Sequence, residues 1–271
     1  KGRPGRVRFF TSDNLVDWNV ASDFERDWVF ECMDFVELPV DGDPKDKKWL
    51  LYDASFEYEI GDFDGKTFTT DKQTHRGEYV KNYYAAQSFN NSPDDRTVMI
   101  GWMSGSDFIK EGMPFNQQMG FPTTMELRTT DEGGVRLFRL PVKEIETLYR
   151  KSHRFENFSA ADAAKKLADI SAELLDVSLE FEPADLTLNL RGLDIRYNAA
   201  AKAFESNGIR LPAPAIGDND KLRVLVDRGS LELFANDGAA VATSYRLPEP
   251  KNKSLSITGS ESKISTLVIN E

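Results

Sequence analysis

Cysteine and histidine are nearly absent from this chain. One cysteine, Cys32, and two histidines, His75 and His153, occur in 271 residues. A single thiol excludes an internal disulfide, so the cysteine carries no sign of an oxidising compartment. The histidines stand apart from each other and from Cys32, which leaves no ligand cluster; no metal and no other cofactor is expected. Long apolar runs are missing too: none approaches the ~20 residues of a membrane span, and no leader-like segment opens the chain. No membrane association is expected. Basic residues are in deficit, 34 Lys and Arg against 45 Asp and Glu for a net charge of -11, and the acidic residues are spread along the chain. Such a surface repels nucleic acid and leaves a neutral polysaccharide free to bind through hydrogen bonds and aromatic faces.

What is present is ample apolar material, 40% hydrophobic and 11% aromatic residues, enough for one large or two ordinary domains. Strand signals dominate to about residue 140, around Phe9, Phe35, Trp49 to Tyr52, Tyr58 to Phe63, Tyr84 to Phe89, Val98 to Met103, Met125 to Arg128 and Val135 to Leu140. Between them stand the turn clusters Asp41-Gly42, Asp64-Gly65, Ser92-Pro93-Asp94-Asp95 and Glu132-Gly133-Gly134. Pro141 to Arg150 reads as a short helix and a boundary, and Ala160 to Ile170 as another short helix. Period-two patterning then resumes, as in Val177, Leu179 and Phe181 or Leu222, Val224 and Val226. The fold class is all-β, and the pattern alone leaves propeller and sandwich open.

The string Glu31-Cys32-Met33-Asp34 places a carboxylate beside a thiol within Trp28 to Leu38, a stretch that reads as a buried strand. Burial raises a carboxyl pKa, and an acid titrating near neutrality is what protonates a leaving sugar oxygen. The competing reading is a core-edge Glu paired with an Arg. Downstream run Asn82-Tyr83-Tyr84-Ala85-Ala86-Gln87-Ser88-Phe89, Arg96 to Met103 with Gly101-Trp102, Gly120-Phe121-Pro122-Thr123-Thr124-Met125-Glu126-Leu127, and Asp227-Arg228-Gly229-Ser230-Leu231-Glu232-Leu233-Phe234.

In this order and spacing the series resembles glycoside hydrolase family 32, the invertase, levanase and inulinase family. The resemblance spans nearly the whole chain, with Met33 where the family has Pro and Asn82 where Asp is common. It implies part of a five-bladed β-propeller over residues 1-140, a linker helix at 141-150 and a β-sandwich over 151-271. It also implies a retaining glycosidase acting on β-fructofuranosyl linkages in levan, inulin or sucrose, with Glu31 as general acid/base. A retaining mechanism needs two carboxyls, and the family's W-M-N-D-P-N-G nucleophile segment and R-D-P segment do not occur here. The chain therefore reads as the second part of a longer protein, inactive alone, which would associate with its own N-terminal fragment or another copy. A non-catalytic carbohydrate-binding remnant is the alternative. Secretion or a periplasmic site is favoured if the substrate is a polysaccharide.

Among neighbours of Glu31, Cys32 is a candidate for tuning the acid, against a packing role. Asp34 is expected on the same strand face as Glu31, bonding sugar hydroxyls, against a strand-end bond to backbone. Tyr84 is a candidate contact to the furanose ring, with Asn82 on its face as sugar ligand or loop cap, and Tyr83 packed behind. Trp102 reads as core. The polar loop from Ser104 to Gln118, edged by Phe108, Met113 and Phe115, would shape a mouth. Asp227, Arg228 and Glu232 read as surface pairs.

Overall fold

The computed structural model describes residues 5–92, 94–105, 115–131, 133–206, 208–245, 251–259 and 262–271. The opening Lys1 to Pro4, Pro93 and Glu132 of two turn clusters, and Phe108 and Met113 of the mouth loop lie outside the described residues. The described elements are overwhelmingly strands, and the fold is all-β.

A hairpin, Gly5–Thr11 with Asn19–Arg26, comes first. Two antiparallel four-stranded meanders follow. One runs through Asp34–Val40, Asp43–Tyr52, Glu57–Phe63 and Phe68–Thr70; the other through Tyr83–Ser88, Val98–Met103, Thr123–Thr129 and Val135–Pro141. A parallel bridge between Leu127 and Val40 joins them. The first turn, Asp41-Gly42, has φ of 51° and 76°, the left-handed pair that a tight hairpin turn requires and that Asp-Gly supplies. Leu38, Leu50, Tyr52, Phe56, Tyr83, Met99 and Leu127 form the apolar core of this half. A second cluster sits under the hairpin, where Phe35 stacks on Trp49 at 4.4 Å and meets Phe68 edge-on at 5.1 Å. Such pairs add about 0.5–1.5 kcal/mol each beyond simple burial.

The expected helix from Pro141 is a 3-10 segment, Lys143–Leu148, because Pro141 closes the preceding strand. Beyond it lie two more sheets. The six-stranded one is ordered Ser152–Ser159, Lys263–Asn270, Leu175–Phe181, Asp220–Val226, Ser230–Ala235, Ala240–Tyr245; the five-stranded one Ile209–Pro212, Ala203–Ser206, Leu193–Asn198, Leu186–Leu190, Leu255–Thr258. They share a core that includes Val177, Leu179, Phe181, Leu188, Phe204, Val224 and Leu233. The alternation read along these strands is the alternation of core and outer faces.

The two halves meet through a buried polar network. Arg139 donates to the Glu78 carboxylate at 2.9 Å and to the Gly77 carbonyl at 2.6 Å, and its guanidinium lies 4.5 Å from the Phe56 ring centre. Glu78 accepts the Thr243 N–H at 2.7 Å, and Glu232 accepts the Phe121 N–H at 3.0 Å. Glu232 is thus no surface residue: it is 1% exposed, because its strand lies in the sheet that packs on the first half, and burial pushes its carboxyl up to about 8.

Candidate functional site

Glu31 does not lie on a strand. The preceding strand ends at Arg26, the next begins at Asp34, and Cys32 between them has φ 50°. That left-handed residue breaks the extended path and turns Glu31 outward on an exposed bend. The expected burial of its carboxyl is therefore not found in the described residues. The bend also removes the reason for Asp34 to share its face.

Tyr84 comes to Glu31 from the strand Tyr83–Ser88, whose Ser88 N–H bonds to Asp34. Its hydroxyl donates to the Glu31 carboxylate at 2.7 Å, and that bond, before burial, pushes the phenol up to about 12. A bulge makes this reach possible: Tyr84 pairs with Trp102 and Gln87 with Ile100, so Ala85 and Ala86 together face the single residue Gly101. Bulges of this kind re-aim side chains beside active sites. Gln87 donates to the Cys32 carbonyl at 2.9 Å, fastening the bend to the bulged strand. Cys32 itself is exposed and not packed as a small hydrophobe.

Asp34 is drawn inward. It accepts from the Tyr52 hydroxyl at 2.6 Å, the Ser88 N–H at 2.7 Å and its own neighbour's Phe35 N–H at 2.8 Å. Burial and then Asp34 push the Tyr52 phenol far up. Asn82 spends its amide on the Ser104 carbonyl at 3.0 Å, and Ser104 N–H returns to the Asn82 carbonyl at 2.6 Å, so it pins the base of the loop that follows. Tyr83 is buried. Trp102 corrects the core expectation: it is 36% exposed, its ring centre is 6.3 Å from that of Tyr84, and its indole N–H donates to Gln117 at 2.8 Å. It faces outward because it pairs opposite Tyr84, on the side of the strand away from the core residues Met99 and Met103.

The arrangement is thus an exposed carboxylate held by a phenol, with an outward indole beside that phenol; Phe30, the chain neighbour of Glu31, is exposed as well. An exposed, oriented carboxyl can donate and accept a proton, and flat aromatic faces suit the apolar faces of sugars. Among the described residues no group of three or more His, Cys, Asp or Glu could hold a metal ion, and no helix is long and apolar enough to cross a membrane. The pair Glu31 and Tyr84 could not be read as a contact from the sequence; the string around Glu31 and the Tyr-Tyr pair were the available signals.

Comparison with known proteins gives two family models in tandem: the glycosyl hydrolases family 32 N-terminal domain over residues 1–139 and the family 32 C-terminal domain over residues 144–271. The levanase of Bacillus subtilis (strain 168) is 30% identical over 317 aligned residues that cover 98% of this chain and 46% of the levanase. The extracellular exo-inulinase of Aspergillus awamori is 25% identical, over 90% of this chain and 55% of that protein. The chain spans about half the length of these curated relatives. Among solved structures, the exo-inulinase of Aspergillus awamori superposes with a TM-score of 0.78 at 21% identity, over 98% of this chain and 62% of that one. The β-fructofuranosidase of Schwanniomyces occidentalis, complexed with fructosyl-erythritol, does so with a TM-score of 0.80 at 19% identity, over 98% and 65%. These likenesses speak for the shared fold.

Proposed function

This chain belongs to glycosyl hydrolase family 32, and on that premise we propose that it is part of a retaining β-fructosidase in which Glu31 is the general acid/base. The observation that carries the reading is the Tyr84 hydroxyl on the Glu31 carboxylate at 2.7 Å, on an exposed bend in a chain matched by both family 32 models.

Glu31 gives its proton to the glycosidic oxygen as the bond from the anomeric carbon to that oxygen breaks. A second carboxylate, about 5 to 5.5 Å away in such enzymes, bonds the anomeric carbon. Water then attacks that carbon, returns its proton to Glu31 and releases fructose. Tyr84 orients the Glu31 carboxylate by its hydrogen bond and offers its ring to the furanose. Cys32 tunes the acid as its chain neighbour, and Asn82 and Asp34 shape the sugar-binding floor, Asp34 through Tyr52 and the bulged strand. The nucleophilic carboxylate is assigned to sequence outside these 271 residues, whether the rest of a longer protein or an N-terminal fragment.

The two meanders and the hairpin are read as blades of a five-bladed propeller and the two later sheets as the sandwich beside it. The substrate is read as levan, inulin or sucrose, in keeping with the names of the relatives, levanase and exo-inulinase. A polymer of fructose is met outside the cell, which favours secretion.

The test is fructose release from levan, inulin and sucrose by the polypeptide that contains this chain, with and without Glu31→Gln. Release by the parent and its loss in the variant support the reading. Unaltered binding of fructan with no release by the parent supports a carbohydrate-binding remnant instead.

A further inference from the structure

Glu31 and Tyr84 stand 53 positions apart in the chain, and one residue, Ala54, bonds through its backbone to the segments of both. The Ala54 N–H donates to the Glu31 carbonyl at 2.9 Å, and the Ala54 carbonyl accepts the N–H of Ala85, the residue after Tyr84, also at 2.9 Å. Each of the three segments that meet there holds a non-glycine residue in the left-handed region: Cys32 at φ 50°, Phe56 at φ 60° and Ala85 at φ 49°. Such conformations are unfavourable for residues with a side chain and persist only where the surroundings impose them. At the bulge, Ala85 turns its N–H from its own ladder to Ala54.

The Ala54 backbone is itself fixed by its neighbour. Asp53 is 1% exposed, and one of its carboxylate oxygens accepts both the Ser55 N–H at 3.0 Å and the Glu57 N–H at 3.1 Å. Its backbone closes the same turn, with Asp53 N–H on the Glu57 carbonyl at 3.1 Å and Phe56 N–H on the Asp53 carbonyl at 3.0 Å. Phe56 then plugs into the core against Tyr52 at 4.9 Å and Tyr83 at 6.2 Å. A side-chain acceptor that satisfies two backbone donors across a four-residue connection leaves that connection one shape.

We infer that Asp53 is a positioning residue for the Glu31 and Tyr84 pair: its side chain closes the turn that holds the Ala54 backbone, and that residue's N–H and carbonyl set the distance between the two segments. The inference deepens the proposed function, since positioning matters because Glu31 is read as the proton donor. Its test needs no turnover.

Tyr84 reports the spacing, because its bond to Glu31 is the foremost cause that holds the phenol near 12 in place of the ordinary 10. The 271-residue chain, carrying 13Cζ-labelled tyrosine, is examined by NMR at about pH 10.5, with Tyr84→Phe to assign the resonance and circular dichroism to check the fold. Wild type and Asp53→Asn, which keeps the accepting oxygen, are expected to stay phenolic at Tyr84. Asp53→Ala and Glu31→Gln are expected to turn mostly to phenolate. If Asp53→Ala does not fold, Asp53→Leu, which fills the space and offers no acceptor, takes its place with the same expected change.

A folded Asp53→Ala or Asp53→Leu that stays phenolic overturns the inference, as does an Asp53→Asn that ionises as fully as the alanine variant, since charge and not the turn would then be acting. A wild type already ionised at Tyr84 overturns it as well. Failure of the hydrolase reading alone leaves these signals unchanged, so the two failures are told apart.

Discussion

Arg139 donates to Glu78 at 2.9 Å where the two side chains are 2% and 0% exposed. Glu78 in turn accepts the Thr243 N–H, so this pair fastens the first half of the chain to the strand Ala240–Tyr245. Removing one partner of a buried ion pair strands the other charge and costs about 3–5 kcal/mol. Arg139→Met should therefore unfold at markedly lower denaturant than wild type, and Glu78→Gln with Arg139→Met together should recover much of the loss. Urea unfolding of the two variants measures this; equal midpoints for wild type and Arg139→Met would contradict it.

Glu232 gives the interface a pH dependence. Burial raises its carboxyl from an ordinary 4.5 to about 8, so between those values the folded chain holds a proton that the unfolded chain has released. Folded stability then falls as pH rises from about 4.5 to 8 and levels off above, by a few kcal/mol at most. Glu78, raised by the same burial, acts with the same sign. Thermal melts from pH 5 to 9 should slope downward in wild type and more gently in Glu232→Gln. Parallel curves would show that Glu232 does not carry the proton.

Tyr84→Phe removes the hydroxyl and keeps the ring. Because the pair is largely open to solvent, the melting temperature should hardly move, whereas a hydrogen bond to a charged group that orients the proton donor is worth about 1.5 kcal/mol, roughly tenfold in rate. The kcat/KM of the polypeptide that contains this chain, measured on sucrose and levan, should fall about that much. A tenfold loss confined to stability would place Tyr84 in the scaffold.

Much of the architecture was legible from alternation and turn chemistry. Val36 and Leu38, or Val224 and Val226, mark strands because one face of each is buried, and Asp41-Gly42 marks a turn because its residues tolerate positive φ. The site was legible only as a string. Nothing in Glu31-Cys32-Met33 announces that Cys32 adopts φ 50°, yet that angle moves Glu31 from a buried strand to an exposed bend. Trp102 looked like core because large aromatics usually are; its ring turned outward because it stands on the strand face away from the buried Met99 and Met103. Glu232 looked like a surface acid because its burial depends on a neighbouring half of the molecule, a long-range packing event that local pattern does not encode. The contact of Tyr84 with Glu31 has the same origin, since loop and bulge geometry bring distant segments together.

The chain on its own should release no fructose. It has Glu31 but lacks the nucleophile segment of the family pattern, and an acid alone cannot form the covalent intermediate that splits the barrier. Purified 271-residue protein, its intact mass verified, is incubated with levan, inulin and sucrose and assayed for fructose. Sustained release would mean that an aspartate within this sequence supplies the nucleophile.

The central claim is that Glu31 is the proton donor, and the most direct measurement is the turnover of Glu31→Gln in the fructose-releasing polypeptide that contains this chain, on levan and on a β-fructofuranoside whose leaving group needs no proton. Glutamine keeps the shape of the side chain but cannot deliver the proton. General acid/base assistance is worth about 10² to 10⁴-fold, so turnover on levan should fall by that factor, while bond cleavage in the activated substrate, followed through its leaving group, should suffer far less. Near-normal rates of the variant on levan would contradict the assignment.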